Sequence, residues 1–311
     1  MLIIRDFKEI NHDIKSAVTI GTFDGIHLGH RKIIDKLISV SRNNVERSIV
    51  ITFEPHPQII LKNRVHEIKI LSTLDEKLEI FKKLGIDIAY VINFNIEFSK
   101  TSAEDFYLKY LINGTGLSDL VIGYDHMFGK NREGNFNTLN NLSEKYGFRI
   151  YKVDEYKHKN RHVSSTTIRH LLEDKGDVNT ASIFLDRNYS IEGKVTEGRK
   201  LGREIGFPTA NIILTSDYKL LPKIGVYAVT VEIEGNTYKG MLSIGINPTV
   251  SKDGLLKIEV NIFDFNENIY GKKVRINFLE YLRDEVKFDS LEELKKQLYA
   301  DKEESLKIIN N

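Results

Sequence analysis

The sequence contains no cysteine among its 311 residues. Without cysteine the chain has no disulfide framework and no thiolate metal site, which fits a reducing compartment. No apolar run reaches the roughly 20 residues needed to cross a bilayer. Residues 1–10 alternate charged and apolar side chains instead of carrying the long apolar region of a signal peptide. We therefore expect a cytoplasmic protein without a membrane partner.

The chain also lacks an excess of charge of either sign. Its 45 basic and 44 acidic side chains nearly cancel, whereas nucleic-acid-binding proteins usually carry a basic excess. We therefore predict no nucleic-acid partner, and we expect any anionic ligand to be held by individually placed groups. With 41% hydrophobic and 29% charged residues, the composition is that of a globular protein long enough for two domains.

The first half alternates short apolar segments with amphipathic ones. Apolar strands alternating with helices are typical of a parallel sheet covered on both faces, where ligands bind beyond the carboxyl ends of the strands. Thr73 and Glu76 have the spacing of a capping box, which predicts a helix start. The predicted strands are Ala17–Phe23, Ser48–Phe53, Asp87–Phe94, Asp119–Gly123 and Phe148–Val153. The predicted helices are Gly29–Val40, Leu74–Leu84, Ala103–Leu111 and Thr138–Tyr146.

The second half loses the helical period after Tyr189, and strands separated by glycine-containing turns follow. Alternating apolar residues around the turn "EGN" predict a hairpin over Gly225–Gly245. Two further strands are predicted at Leu256–Phe263 and Lys273–Leu279, and a helix at Leu291–Tyr299. The pattern predicts a small antiparallel barrel closed by a C-terminal helix.

No internal repeat and no low-complexity linker separates the two halves. The change from helical to strand periodicity therefore marks the boundary between the two domains, which we predict near residues 176–188. The predicted domains are residues 1–180 and 181–311.

The stretch "TFDGIHLGH" (Thr22–His30) joins the first predicted strand to the first helix through a turn predicted at Asp24-Gly25. Free N–H groups and the dipole at a helix N-terminus attract anions. His27 and His30, three residues apart, share one face of the first turn, and Gly29 lets a group approach the backbone closely. The geometry suits two imidazoles donating to phosphate oxygens. The alternative is helix capping with a solvent-facing histidine.

A second stretch, "VSSTTIRHLL" (Val163–Leu172), clusters hydroxyl groups at another helix start. Hydroxyls and backbone amides there can hold a phosphate group, and Arg169 adds a bidentate charge one turn later. The alternative for Ser164–Thr167 is a simple N-cap.

In the second half, "GKVTEGRKLGREIGFPTANI" (Gly193–Ile212) begins with a loop rich in glycine and basic residues. Such a loop is suited to closing over phosphates. After Pro208, an extended strand would point Thr209 and Asn211 to the same side, where their oxygens suit Mg²⁺ bound to ATP. The alternative is a β-turn followed by an edge strand.

The stretch "KIEVNIFDF" (Lys257–Phe265) has an apolar face formed by alternate residues. That alternation leaves Glu259 and Asn261 on the opposite face of the strand. From the pattern alone, a solvated glutamate is the ordinary interpretation.

These motifs together resemble one enzyme family. "GTFDGIHLGH" followed by "SSTTIR" is similar to the signatures of the nucleotidyltransferase superfamily. With "ITFEPHP", "LSTLDEKLEIFKKLGID" and "IGYDHMFGKNREG", the first half resembles the FMN adenylyltransferase module of the bacterial bifunctional riboflavin kinase/FAD synthetases. The second half resembles the riboflavin kinase module of that family through "GFPTANI", "IGVYAV", "SIGINPTV", "NIYGKKV" and "YLRDEVKFDSLEELKKQL".

The resemblance implies an α/β fold with a Rossmann-like nucleotidyltransferase domain, followed by a small antiparallel β-barrel domain with a C-terminal helix. It also implies a two-step enzyme that phosphorylates riboflavin to FMN and transfers an adenylyl group from ATP to FMN. Its substrates would be riboflavin, FMN and ATP, and its cofactor Mg²⁺ bound with ATP. The sequence leaves the oligomeric state open.

The resemblance also assigns roles to individual residues. The catalytic group would comprise Glu259, the general base of the kinase reaction, with His27, His30 and Arg169 for adenylyl transfer. Thr209 and Asn211 would hold Mg²⁺–ATP, and Arg283 would lie near the flavin. The other nucleotide-binding residues would be Gly21, Phe23, Gly29, Ser164, Ser165, Thr166, Asp125 and Lys200.

Three positions depart from the family pattern. Asn261 stands where histidine is frequent, Asp186 where glycine is usual, and His126 where phenylalanine is commoner.

Two other functions stay open. One is a nucleotidyltransferase with a different phosphate acceptor, which leaves the second half unexplained. The other is a flavin-sensing regulatory protein without turnover, which need not keep a base or metal ligands.

Overall fold

The computed structural model describes residues 1–61, 69–124, 136–197, 202, 205–246 and 256–310. The chain divides into two compact units, Met1–Ser165 and Thr166–Asn311. This division falls inside the stretch "VSSTTIRHLL", ahead of the predicted boundary near 176–188. The predicted domains of 1–180 and 181–311 therefore stay a prediction.

A parallel sheet forms the centre of the first unit. Its described strands are β1 (Leu2–Ile4), β2 (Ser16–Ile20), β3 (Arg47–Glu54), β4 (Ile88–Asn93), β5 (Leu117–Gly123) and β6 (Arg149–Val153). They lie in the order β1-β4-β3-β2-β5-β6, and every pairing is parallel. The chain runs outward from β2 through β3 to β4 and then returns to β5 on the other side of β2. The carboxyl end of β2 is therefore the switch point where such sheets bind ligands.

Helices cover both faces of this sheet, as predicted. The helices are α1 (Leu28–Asn43), α2 (Pro57–Leu61), α3 (Leu74–Lys83), α4 (Ala103–Phe106), α5 (Asn113–Thr115) and α6 (Phe136–Tyr146). Alternate strand residues enter two separate apolar clusters: Val18 and Ile51 lie in one, whereas Ala17 and Val50 lie in the other with Leu37 of α1. The period of two along a strand produces this separation.

The capping box at the start of α3 is present as predicted. The backbone N–H of Glu76 donates to Thr73 Oγ1 at 3.4 Å, and the N–H of Thr73 donates to Glu76 Oε2 at 2.8 Å.

Two boundaries in the first unit differ from the prediction. The first predicted strand was extended to Phe23, but β2 ends at Ile20 and Phe23 takes a left-handed φ of 48°. The predicted helix Ala103–Leu111 is instead α4 followed by a π-helical segment, Tyr107–Ile112. The pattern of apolar residues does not predict either change of backbone geometry. A short hairpin of β7 (Lys157–His158) and β8 (Arg161–His162) was not predicted.

The second unit is built around the predicted antiparallel barrel. Two helices come first, α7 (Ser165–His170), which starts at the last residue of the first unit, and α8 (Val178–Leu185). The barrel strands are β9 (Ser190–Thr196), β10 (Ala210–Leu214), β11 (Gly225–Ile233), β12 (Asn236–Ile246), β13 (Leu256–Ile262) and β14 (Lys273–Arg283). They close in the order β10-β13-β12-β11-β14-β9.

The predicted hairpin and the C-terminal helix of the second unit are both present. Glu234 and Gly235, with φ of 49° and 86°, form the tight turn between β11 and β12. The helix α9 (Leu291–Asn310) is longer than predicted. It packs Leu298, Leu306 and Ile309 against an apolar cluster on the barrel.

Asp186, one of the departures from the family pattern, ends α8 in the left-handed conformation with a φ of 56°. Glycine adopts this conformation without a steric penalty, and aspartate is among the residues that tolerate it. The helix end thus keeps the same backbone geometry with either residue.

Candidate active sites

The turn after β2 places both histidines of the first predicted site. Phe23, Gly25 and Ile26 all have positive φ values, 48°, 84° and 39°. Non-glycine residues in this region carry strain, and such strain clusters at functional sites. The turn delivers His27 to the N-cap of α1, where its Nδ1 accepts the backbone N–H of His30 at 3.3 Å.

The two imidazole rings stack on each other, with centroids 3.7 Å apart and an interplanar angle of 17°. His27 uses Nδ1 as an acceptor, so the proton of its neutral ring is on Nε2. The Nδ1 of His30 is buried, and it has no hydrogen-bond partner among the described residues. Nε2 is therefore the nitrogen of His30 left for a ligand. Both rings can present an Nε2–H donor.

His30 is held in its neutral form. Burial lowers the pKa of His30 well below its usual range, and the neighbouring His27 and Lys77 lower it further. The edge of Phe23 packs against the His30 ring, with centroids 5.3 Å apart. A neutral ring in apolar surroundings can donate an N–H to a phosphate oxygen without itself carrying a permanent positive charge.

Both predicted glycines of this site lie against aromatic rings. A Cβ on Gly29 would lie 3.1 Å from the His27 ring and 3.5 Å from the carbonyl oxygen of Val163. A Cβ on Gly21 would lie 3.2 Å from the ring of Phe23. Contacts this short displace the neighbouring group, so larger residues would shift the rings that define the site.

Asp24 is a central residue that the sequence interpretation used only as a turn former. Its buried carboxylate accepts the backbone N–H groups of Leu71, at 2.9 Å, and Ser72, at 3.0 Å. Its carbonyl oxygen accepts the hydroxyl of Ser165 at 2.8 Å. Asp24 thereby joins the histidine turn to the segment before α3 and to the start of α7.

The remaining predicted residues of this site are placed only in part. Ser164 precedes α7, Ser165 begins it, and Thr166 and Arg169 follow within the same short helix. Asp125 and His126 lie outside the described residues.

The second site brings three predicted side chains together across neighbouring strands. Asn211 of β10 lies directly opposite Glu259 of β13, so their side chains share one face. The hydroxyl of Thr209 donates to Glu259 Oε1 at 3.4 Å. The Glu259 side chain is 26% exposed, and its carboxylate is therefore accessible to a ligand.

Two further residues define the surroundings of Glu259. Lys257 Nζ lies 2.8 Å from Glu259 Oε2, where it balances the charge of the carboxylate. Asn261, a departure from the family pattern, is buried and donates from Nδ2 to the carbonyl oxygen of Pro208 at 2.6 Å. Asn261 thus fixes the backbone next to Thr209. Lys200 lies outside the described residues.

Arg283, the predicted flavin contact, is anchored to the C-terminal helix. Its Nε and Nη2 donate to the buried carboxylate of Asp301 at 2.9 Å and 2.7 Å. Nη1 donates to the carbonyl oxygen of Asp284 at 3.0 Å, and the guanidinium lies 5.8 Å from the centre of the Phe288 ring.

The chemistry of the second site favours a hard cation over a transition metal. The side chains of Thr209, Asn211 and Glu259 would bind a cation through oxygen atoms, which are the ligands that Mg²⁺ prefers. Across the ranges given above, no group of three or more His, Cys, Asp or Glu side chains is placed to hold a metal ion. A cation here would therefore need further ligands from a bound substrate such as ATP.

Comparisons with known proteins match each half of the chain separately. A family model described as FAD synthetase matches residues 9–167, and one described as riboflavin kinase matches residues 185–309. Curated proteins named bifunctional riboflavin kinase/FMN adenylyltransferase match nearly the whole chain. The protein from Listeria monocytogenes is 38% identical over 94% of this chain and 92% of its own length. The protein from Bacillus subtilis is 36% identical over 96% of this chain and 93% of its own length.

A solved structure is also similar over nearly its full length. A protein from Streptococcus pneumoniae described as a macrolide-efflux protein is 33% identical, covers 97% of both chains and superimposes with a TM-score of 0.87. Its description differs from the names of the curated relatives. Within the described part of this chain, no helix has the length and apolar character of a membrane span.

Proposed function

The chain belongs to the family of bifunctional riboflavin kinase/FMN adenylyltransferases, and we propose how its residues carry out the two reactions of that family. The part of the chain that matches the riboflavin kinase model phosphorylates riboflavin to FMN with ATP, and the part before it transfers an adenylyl group from a second ATP to FMN, which gives FAD and pyrophosphate. The observation that carries the proposal is that two family models, one for each reaction, match consecutive halves of one chain.

In the adenylyl transfer, the phosphate of FMN attacks the α-phosphorus of ATP in line with the leaving pyrophosphate. Such a transfer depends on positioning and charge stabilisation more than on covalent help. We propose that His27 and His30 donate from Nε2 to phosphate oxygens where charge develops. The N-terminus of α1 adds its dipole at the same place. Ser165, Thr166 and Arg169 would bind the pyrophosphate, with support from Ser164 and Asp125.

In the kinase reaction, the primary ribityl hydroxyl of riboflavin attacks the γ-phosphorus of ATP, the bond from that phosphorus to the bridging oxygen breaks, and ADP leaves. We propose that Glu259 accepts the hydroxyl proton as the new bond forms, since that alcohol is a poor nucleophile while protonated. Thr209 donates a hydrogen bond to the same carboxylate, and Asn211 lies opposite it on the neighbouring strand.

The oxygen atoms of Thr209 and Asn211 beside Glu259 fit Mg²⁺ bound to ATP, with Thr209 and Asn211 as its protein ligands. Mg²⁺ would neutralise negative charge on the phosphates of ATP. We further propose that Lys200 contacts the same phosphates and that Arg283, oriented by Asp301, contacts the flavin. Since both reactions consume ATP, we propose that they take place in the cytoplasm.

The test is incubation of the purified chain with riboflavin, ATP and Mg²⁺, followed by chromatographic separation of the flavins. We expect FMN first and then FAD. Formation of neither product, with tight flavin binding retained, would instead support a flavin-sensing protein. Adenylylation of a different phosphate acceptor, with no action on FMN, would support the other nucleotidyltransferase alternative.

A further inference from the structure

Lys77 is a buried lysine that the proposed mechanism does not use. It lies in the first half of α3, and its residue is only 3% exposed. Lysine is almost never fully buried unless its ammonium group is paired. A buried lysine next to a substrate site therefore requires an explanation.

The ammonium group of Lys77 connects the segment that follows β2 to the end of β3. Nζ donates to the carbonyl oxygen of Thr22 at 3.2 Å, to Thr52 Oγ1 at 3.2 Å and to the carbonyl oxygen of Phe53 at 3.4 Å. Three acceptors match the three N–H donors of a charged lysine. Thr22 immediately precedes the histidine turn, so Lys77 fixes the position from which that turn departs.

Lys77 also brings its charge close to three titratable groups. Burial lowers the pKa of Lys77, and the carboxylates of Glu54 on β3 and Asp24 in the turn raise it again. Burial raises the pKa of Glu54. Lys77 and, after it, Arg5 lower that pKa, and Asp75 raises it. The pKa of His30 on α1 is lowered mainly by burial, and to a smaller extent by His27 and Lys77.

Protonation of His30 would disrupt this arrangement. A second proton would be placed on Nδ1, which is buried and has no acceptor among the described residues. A buried donor without an acceptor is unfavourable, so the protonated ring would leave its stacked position on His27. A fixed positive charge nearby makes that protonation less favourable.

We propose that Lys77 is a positioning residue for adenylyl transfer, which acts by anchoring the histidine turn and by placing a positive charge near His30. Lys77 does not need to touch the substrates. This inference rests on the proposed adenylyltransferase function of the first unit.

The test compares Lys77→Met with Lys82→Met, the same substitution at an exposed lysine of the same helix. FAD formation from FMN and ATP should fall about 10²-fold in Lys77→Met, the loss typical of a misplaced catalytic group. The pKa of His30, followed by NMR titration of histidine ring carbons, should rise. The acidic limb of the pH profile should move to higher pH with it. Lys82→Met should match the wild type in each measurement.

A second variant covers the case in which Lys77→Met does not fold. Thr52→Val keeps the side-chain shape and the charge of Lys77, but it removes one acceptor of Lys77 Nζ and the hydrogen bond that Thr52 Oγ1 donates to the carbonyl oxygen of Thr22. We expect a smaller loss of FAD formation, with the pKa of His30 unchanged. An unchanged rate in Thr52→Val would contradict the anchoring role.

Two results for a folded Lys77→Met protein would overturn the proposal: an unchanged rate of FAD formation, or a lower rate with unchanged His30 titration and pH profile. The second result would mean that Lys77 acts only in stability. Failure of the proposed function itself is recognised separately, because the wild-type chain would then form no FAD from FMN.

Discussion

His30 combines a buried Nδ1 with a stacked neighbour, so Nε2 remains for a ligand. We predict that His30→Ala lowers FAD formation from FMN by about 10²–10³-fold, the loss seen when one donor to a developing charge is removed. FMN formation from riboflavin should not change, because Glu259 and its neighbours lie in the second unit. Separate assays with FMN and with riboflavin measure both rates. Undiminished FAD formation would exclude His30 from the transfer.

Glu259 is the corresponding residue of the second site. Glu259→Gln keeps the side-chain shape but removes the base, and FMN formation should fall by about 10²–10⁴-fold. Glu267→Gln, at an exposed loop residue of the same unit, serves as the control and should retain wild-type activity. If Glu259→Gln phosphorylates riboflavin at the wild-type rate, Glu259 is only a surface residue.

Single residues show where sequence interpretation reaches its limit. The motifs identified His27, His30 and Glu259 as candidates, but Asp24 was taken only as part of a turn. Its partner Leu71 is 47 residues away, and a local pattern holds no information on such a contact. For Lys77 a signal was present: it precedes the buried Phe81 by four residues, which places it on the buried face of α3.

At the scale of secondary structure, apolar periodicity predicted the main strands of both units and the covering helices. It failed where the backbone changes without a change in side-chain character. The end of β2 before Phe23 and the π-helical segment Tyr107–Ile112 are of this kind. β1, with three residues, is too short to produce a periodic pattern.

The contact between β14 and α9 allows a test at this scale. Asp301 is buried and accepts hydrogen bonds from both Nε and Nη2 of Arg283 and one from Gln297. Asp301→Ala would leave that guanidinium, only 20% exposed, without its counter-charge. We predict a loss of about 3 kcal/mol in the free energy of unfolding.

Urea denaturation measures this loss, with Glu303→Ala at an exposed position of α9 as the control. The control should unfold at the wild-type midpoint. Equal midpoints for Asp301→Ala and Glu303→Ala would show that the ion pair does not hold the helix to the barrel.

The whole molecule combines two units of unlike architecture, a parallel sheet with helices and a closed antiparallel barrel. Sequence motifs predicted this combination because they fill both halves of the chain in order, and the two family models confirm it. The division of the chain was harder to predict. The helix α7 begins at the last residue of one unit and continues into the other, so no change in composition marks the transition.

Calorimetric titration of the chain with a non-hydrolysable ATP analogue, in the presence of Mg²⁺ and flavin, is the most direct measurement of whether each unit has its own nucleotide site. We predict saturation at two analogue molecules per chain. Saturation at one molecule per chain would contradict two working sites.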